Sequence, residues 1–169
     1  MSALARSPSR PGLVDHVAWA LAWVLVALMA IMVIDVSWQV ISRFVIRSPS
    51  SFTEELAGFL LIWIGLLGAA YGVRTRAHLG IDVLVTSLRG ARRRFVAVLA
   101  HGLVALFALS TMVVGGVRLA QLAFQLDQIS AAMGVRMGFV YLALPMAGLL
   151  IVAFSAESIA RELSARSES

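Results

Sequence analysis

The sequence has no cysteine and no lysine, only three histidines and four prolines, and only 14% of its 169 residues are charged. Without cysteine there can be no disulfide, no thiolate metal site, no iron–sulfur cluster and no cysteine nucleophile. Without lysine, all fourteen basic residues are arginine, set against nine acids for a net charge of +5. On a soluble domain a pI near 11.2 would point to nucleic acid. Most of these arginines instead flank long apolar runs, where they set orientation and meet anionic phospholipid headgroups, so nucleic acid is not an expected partner.

Apolar residues are what the chain has in excess, at 60% of the total, with a mean hydropathy of +0.92. They fall into four long runs and not into short amphipathic stretches, so the solvent for most of the chain is lipid. Residues 1–16, with Pro8, Pro11 and Gly12, read as a polar tail. Val17 to Ile34 holds no charge; it is too long for an ordinary signal-peptide core and no small-residue cleavage site follows, so a retained membrane helix is expected. Nothing breaks the helical pattern before Ile46, giving a first span of 17–46. Thirty residues measure about 45 Å against about 30 Å of hydrocarbon, so this helix must tilt or project. After a turn at Arg47–Ser51, the stretch Ser51-Phe-Thr-Glu54 fits a capping box. Glu54 and Glu55 in the first turn suit the helix dipole, and the second span is expected over 52–73. Gly65, Gly68, Ala69 and Gly72 form a small-residue patch on it that allows close approach by a neighbouring helix.

Residues 74–94 carry Arg74, Arg76, Arg89, Arg92, Arg93 and Arg94, expected at the lipid headgroups. Between them Ile81, Leu84, Val85 and Leu88 recur with the period of an interfacial amphipathic helix over about 79–88. A third span follows at 95–125, interrupted only by His101, and a fourth at 139–160, where Pro145 predicts a kink. Residues 161–169 form a second tail. The fold expected is therefore an all-α membrane protein with four transmembrane helices and one interfacial helix. Four crossings put the N-tail, the 74–94 segment and the C-tail on one side with ten arginines, against four (Arg43, Arg47, Arg118, Arg136) on the other. The ten-arginine side is expected to be cytoplasmic, with both termini inside.

Polar groups that could carry chemistry are few, and no catalytic, substrate-binding or metal site is expected. His101 is the only histidine inside a span; an interhelical hydrogen bond suits it better than haem ligation, which needs a second axial ligand at matching depth. His78 and Asp82, at i,i+4, are two ligands at most, which is not a metal site. No charge sits near the middle of a run, so the chain is not expected to form a transport path alone. Asp35, Gln39 and Arg43 fall on one face and could satisfy one another if the first helix sits deep. Arg118, Gln121, Gln125 and Gln128 make a polar stripe at i, i+3, i+7 and i+10, either a docking surface for another protein or a solvated helix extension.

In order along the chain, these features resemble a known family. Arg43-Phe44, Phe52-Thr-Glu54-Glu55-Leu-Ala, Ile62-Trp-Ile-Gly65-Leu-Leu-Gly68-Ala-Ala, Arg74, His78-Leu-Gly-Ile-Asp82, Gln128-Ile-Ser130-Ala-Ala-Met-Gly, Tyr141 and Pro145-Met-Ala-Gly148 are similar to the DctQ-type small membrane subunit of tripartite ATP-independent periplasmic (TRAP) transporters, in its separate-chain form. The resemblance covers Val17 to Glu162. It implies a cofactor-free scaffold in the bacterial inner membrane, not an enzyme. Its partners would be a large elevator-type membrane subunit, which holds the substrate and sodium sites, and a periplasmic substrate-binding protein that delivers an organic acid. By family position Arg43, Glu54 and Glu55 would lie near the outer subunit contact and His78 and Asp82 near the inner one, with Gly65, Gly68 and Gly72 as packing positions. Arg118, Gln121, Gln125 and Gln128 would face the binding protein. Two other classes stay open on the residues alone: a membrane anchor for a haem-containing redox enzyme, and a small self-sufficient exporter.

Overall fold

A computed structural model describes residues 12–48, 50–75 and 91–164. Helix α1 (Leu13–Ile41) runs into a wider π-helical turn at Ser42–Ile46; α2 spans Ser51–Thr75. Helix α3 (Ala91–Phe107) continues through a π-helical stretch, Ala108–Gly115, into α4 (Gly116–Gln125). Helix α5 (Met137–Tyr141) and α6 (Ala143–Ser164) complete the chain. Among the described residues, four helical rods are long and apolar enough to cross a membrane: Leu13–Ile46, Ser51–Thr75, Arg92–Gln125 and Met137–Ser164. The expected four-span, all-helical architecture is the one observed, with each rod a few residues longer than its apolar run. The expected interfacial helix at 79–88, together with Arg76, His78, Asp82 and Arg89, lies outside the described residues.

The first helix begins at Leu13 and not at Val17, because Gly12 and Asp15 cap it: the Gly12 N–H donates to the Asp15 carboxylate at 3.0 Å, satisfying one of the orphan donors of a helix start. The second begins one residue earlier than a Ser51 cap allows. Ser51 is already helical, and the Thr53 hydroxyl donates to the Ser50 carbonyl at 3.0 Å, so the Ser51–Glu54 capping box does not form. Pro145 breaks the fourth rod as expected. It has no N–H for the Tyr141 carbonyl and its ring crowds that turn, and the helix is interrupted at Leu142.

The rods pack as a row in the order first, second, fourth, third. The shares of each span buried inside the chain are 11%, 22%, 44% and 11% in the order first, second, fourth and third, so the fourth rod is the centre and the first and third are edges. Helix α1 meets α2 along Val14, Ala18, Leu21, Leu25, Leu28, Met32, Asp35, Gln39 and Ser42, all buried or half-buried. Steps of four and three alternate without a break, the narrow seam of a left-handed helix pair. The third rod differs. Its inward residues Ala108, Met112, Gly116 and Ala120 recur every four residues, which on a straight α-helix would drift by roughly 120° around the axis. The π-helical stretch has more residues per turn and holds them on one face. That face needs glycine: a Cβ on Gly148 would lie 2.8 Å from the Met112 Cβ, and one on Gly116 2.8 Å from the Leu144 Cβ and 2.9 Å from the Pro145 Cδ. The central apolar cluster gathers Ala18, Leu21, Leu67, Ala70, Ala108, Ala147, Ile151 and Phe154.

Candidate functional site

The two ends of the row carry nearly all of its polar contacts. At the end where α1 begins and α6 finishes, Arg74 of α2 lies between Asp15 of α1 and Glu157 of α6. Its Nη2 donates to Asp15, and its Nε is 3.8 Å from the Glu157 carboxylate. Arg161 closes the group at 2.5 Å from Glu157 and 4.0 Å from Asp15. Two cations and two anions thus tie three helices without net charge. Arg74, expected at lipid headgroups, is drawn inward to a side-chain exposure of 21%, because two acids from neighbouring helices compete with lipid for it. Arg94 donates to the Leu163 carbonyl at 2.6 Å, joining the start of the third rod to the end of the fourth, while Arg92 and Arg93 are exposed.

At the opposite end, the chain between the third and fourth rods forms a tight hairpin. Ser130 N–H bonds the Val135 carbonyl and Met137 N–H the Gln128 carbonyl, both at 2.9 Å, with Gly134 in the left-handed region at φ 67. Glu55, just past the first turn of α2, reaches into this hairpin. Its carboxylate accepts from the Ser130 hydroxyl and from the N–H groups of Ala131, Ala132 and Met133 at 3.2, 2.9 and 2.9 Å. Successive amides converging on one carboxylate make a concave anion seat, and charge-assisted bonds of this kind are the stronger sort. The sequence features Phe-Thr-Glu54-Glu55 and Gln128-Ile-Ser130-Ala-Ala-Met-Gly, 75 residues apart, are thus two halves of one latch. The pairing was missed in the sequence, although a Ser-Ala-Ala-Met-Gly turn opposite a helix-start glutamate was the available signal.

Asp35 is the only charged side chain among the buried residues described. Gln39 donates to it at 3.0 Å and to the Thr53 carbonyl at 2.8 Å, stitching α1 to the start of α2. The expected third member, Arg43, does not join, because the π-helical turn at Ser42 carries it off the seam to an exposed position. Arg43 and the exposed Glu54 line one cleft between α1 and α2. Arg118, Gln121, Gln125 and Gln128 are all exposed along the end of the third rod. A Cβ on Gly65, Gly68 or Gly72 would meet nothing within 4 Å, so among the described residues this patch has no neighbour in close contact. His101 is half-buried on α3 and partnered. No group of three potential metal ligands occurs among the described residues.

Fold and polar layout together define a multi-pass, all-helical membrane protein with four spanning helices. The family model for the DctQ component of tripartite ATP-independent periplasmic transporters matches residues 32–165, and the chain belongs to that family as a TRAP transporter small permease subunit. It is 37% identical over 102 residues to the C4-dicarboxylate TRAP transporter small permease protein DctQ of Rhodobacter capsulatus, covering 59% of this chain and 44% of that one. It is 26% identical over 136 residues to the sialic acid TRAP transporter small permease protein SiaQ of Vibrio cholerae, covering 80% and 77%. A 57-residue stretch is 39% identical to part of the sialic acid TRAP transporter permease protein SiaT of Haemophilus influenzae, 34% of this chain and 9% of that one. The chain thus spans under half of the R. capsulatus relative and about three quarters of the V. cholerae one. Membership in this family displaces the redox-anchor and exporter readings.

Proposed function

We propose that this chain is the fixed membrane brace of a sodium-coupled TRAP transporter. It packs beside a large elevator-type permease subunit that takes up an organic acid handed over by a periplasmic binding protein. The observation that carries this reading is where the polar groups are. They gather at the two ends of the row and lock its helices to one another, and Asp35, the one buried acid described, is spent on Gln39. A subunit that carried cargo would need ionisable groups lining a path through the bilayer. The likeness to a short part of a much longer permease protein supports a place beside such a partner.

In this reading the open side of α2, with Gly65, Gly68 and Gly72, receives a helix of the large subunit, since small residues let backbones approach in lipid. The end with the Glu55 hairpin faces the periplasm and presents Arg118, Gln121, Gln125 and Gln128 to the binding protein. The arginine-rich end, with both termini, faces the cytoplasm and the anionic leaflet, with His78 and Asp82 near the inner subunit contact. Reconstitution tests the proposal. Proteoliposomes holding this chain alone should take up no organic acid, and those holding it with the large subunit and binding protein should. Uptake by the chain alone, or equal uptake by the large subunit without it, overturns the brace.

A further inference from the structure

Among the described residues, every hydrogen bond between the outer hairpin and α2 ends on one carboxylate, that of Glu55. The family resemblance puts Glu55 near a subunit contact, yet both of its oxygens are taken up inside the chain. Oε2 accepts from the Ser130 hydroxyl and from the Ala132 and Met133 amides, and Oε1 from the Ala131 amide. The hairpin has its own internal frame. Backbone bonds join Ser130 to Val135 and Gln128 to Met137, Asp127 pairs with Arg136 at 3.4 Å, and the chain turns through two residues in the left-handed region, Asp127 at φ 47 and Gly134 at φ 67. An aspartate in that region is uncommon and marks a backbone whose path is fixed by its surroundings. Internal bonds thus set the shape of the hairpin, and Glu55 sets its angle to α2.

What the hairpin holds in place is a mixed surface. Leu126 and Ile129 are 60% and 55% exposed, each directly after an exposed glutamine, Gln125 and Gln128. Lipid does not account for them. Arg74 and Glu55 stand nineteen steps apart on α2, about 28 Å at about 1.5 Å each, which is close to the whole hydrocarbon thickness of about 30 Å. With the Arg74 cluster at one boundary, Glu55 lies at the other and the hairpin beyond it. Apolar anchors within a rim of amides and charges have the make-up of a protein contact, and a backbone fixed beforehand lowers the ordering cost of making it. We propose that Glu55 is a positioning residue for docking of the periplasmic binding protein: seated in the Ser130–Met133 turn, it fixes the angle at which Leu126, Gln128 and Ile129 are presented. This rests on the reading of the hairpin end as the periplasmic face that meets the binding protein.

Uptake by proteoliposomes holding the whole complex, measured against binding-protein concentration, tests it. Glu55→Ala should raise the half-saturating concentration about tenfold, change the maximal rate by about twofold at most, and leave co-purification of the large subunit at the parental level. Glu55→Gln, which keeps an acceptor oxygen, should recover part of the shift. Restoring the tie by other chemistry should recover more. The chain has no cysteine of its own, so in a Glu55→Cys, Ala132→Cys double variant a short bis-methanethiosulfonate linker should bring the half-saturating concentration back toward the parental value, and reduction should undo it. A lowered maximal rate at unchanged half-saturation, or a linker that leaves the shifted value where it was, overturns the positioning role. Gln125→Arg with Gln128→Arg alters the surface and leaves the latch intact. If that variant shifts half-saturation and Glu55→Ala does not, the positioning role alone falls. If neither shifts it, the outer docking reading falls and takes the positioning role with it.

Discussion

At the residue scale, Glu55 does more for the fold than its place in a helix start suggests. One carboxylate satisfies three consecutive backbone N–H groups and a hydroxyl, and among the described residues the Ala131 and Ala132 amides have no other partner. Glu55→Ala leaves those donors dependent on water, so amide exchange at Ala131–Met133 should rise several-fold, with the rest of the chain unchanged. Glu55→Gln keeps shape and acceptor but loses charge and should fall between. Exchange at these amides no faster than in the parent would remove the latch. Two glycine classes make a second prediction. Gly148→Ala drives a methyl to 2.8 Å from Met112 and should destabilise the chain by about 1–3 kcal/mol, the usual penalty of overpacking. Gly65→Ala meets open space and should leave stability of the isolated chain within about 0.5 kcal/mol, while weakening capture of the large subunit if α2 is the contact. Reversible unfolding in mixed micelles reads the first pair and co-purification the second. The sequence marked Gly65, Gly68 and Gly72 as packing positions, was silent on Gly116 and held Gly148 only within a stretch resembling the family, because which glycine meets a backbone depends on how two helices cross.

At the scale of elements, the legible features are those written in local period and length. Four rods, the Pro145 break and the long first helix follow from runs of apolar residues and one missing N–H. The α1 seam was also present in the sequence as alternating steps of four and three from Val14 to Ser42, hidden because between Val17 and Ile34 every neighbouring position is apolar too. The hydrophobic contrast that exposes a seam in water is absent in a membrane. The π-helical stretch at Ala108–Gly115 had no such signal; it is a response to the face of α6. Interhelical charge pairs were only half visible: Glu157 and Arg161 sit on one helix at i,i+4, whereas Asp15 and Arg74 come from two. The latter pair gives a testable element-scale consequence. Asp15→Arg places three cations together and should weaken the α1–α2 contact, read as faster exchange at the start of α1. Arg74→Asp should do the same, leaving Asp15 and Glu157 beside a third acid. Combined, the reversed pair should recover most of the loss, and a double variant no better than the worse single one would show that the two side chains do not act on each other.

At the scale of the whole molecule, the absence of cysteine turns orientation into a direct measurement. Asp15, Arg74, Glu157 and Arg161 meet at one end of the row, and Glu55 meets Ser130 at the other, so the two ends are physically separate and each can carry a single introduced thiol. The arginine imbalance of ten against four predicts that the first end lies in the cytoplasm, because arginine resists translocation and is attracted by the anionic inner leaflet. Ser164→Cys, at the exposed end of α6, and Gln128→Cys, at the exposed end beyond α4, probe the two sides without touching either polar cluster. In intact spheroplasts a membrane-impermeant maleimide should label Gln128→Cys and spare Ser164→Cys, and after lysis it should label both. The reverse pattern would turn the molecule over and move the Gln-rich stripe away from any periplasmic partner. Labelling of both before lysis would mean an odd number of crossings, which the four rods exclude only if all of them insert. Because six of the arginines lie between 74 and 94, neutralising Arg92, Arg93 and Arg94 together should bring mixed labelling, and no change would mean that the remaining seven suffice to hold the orientation.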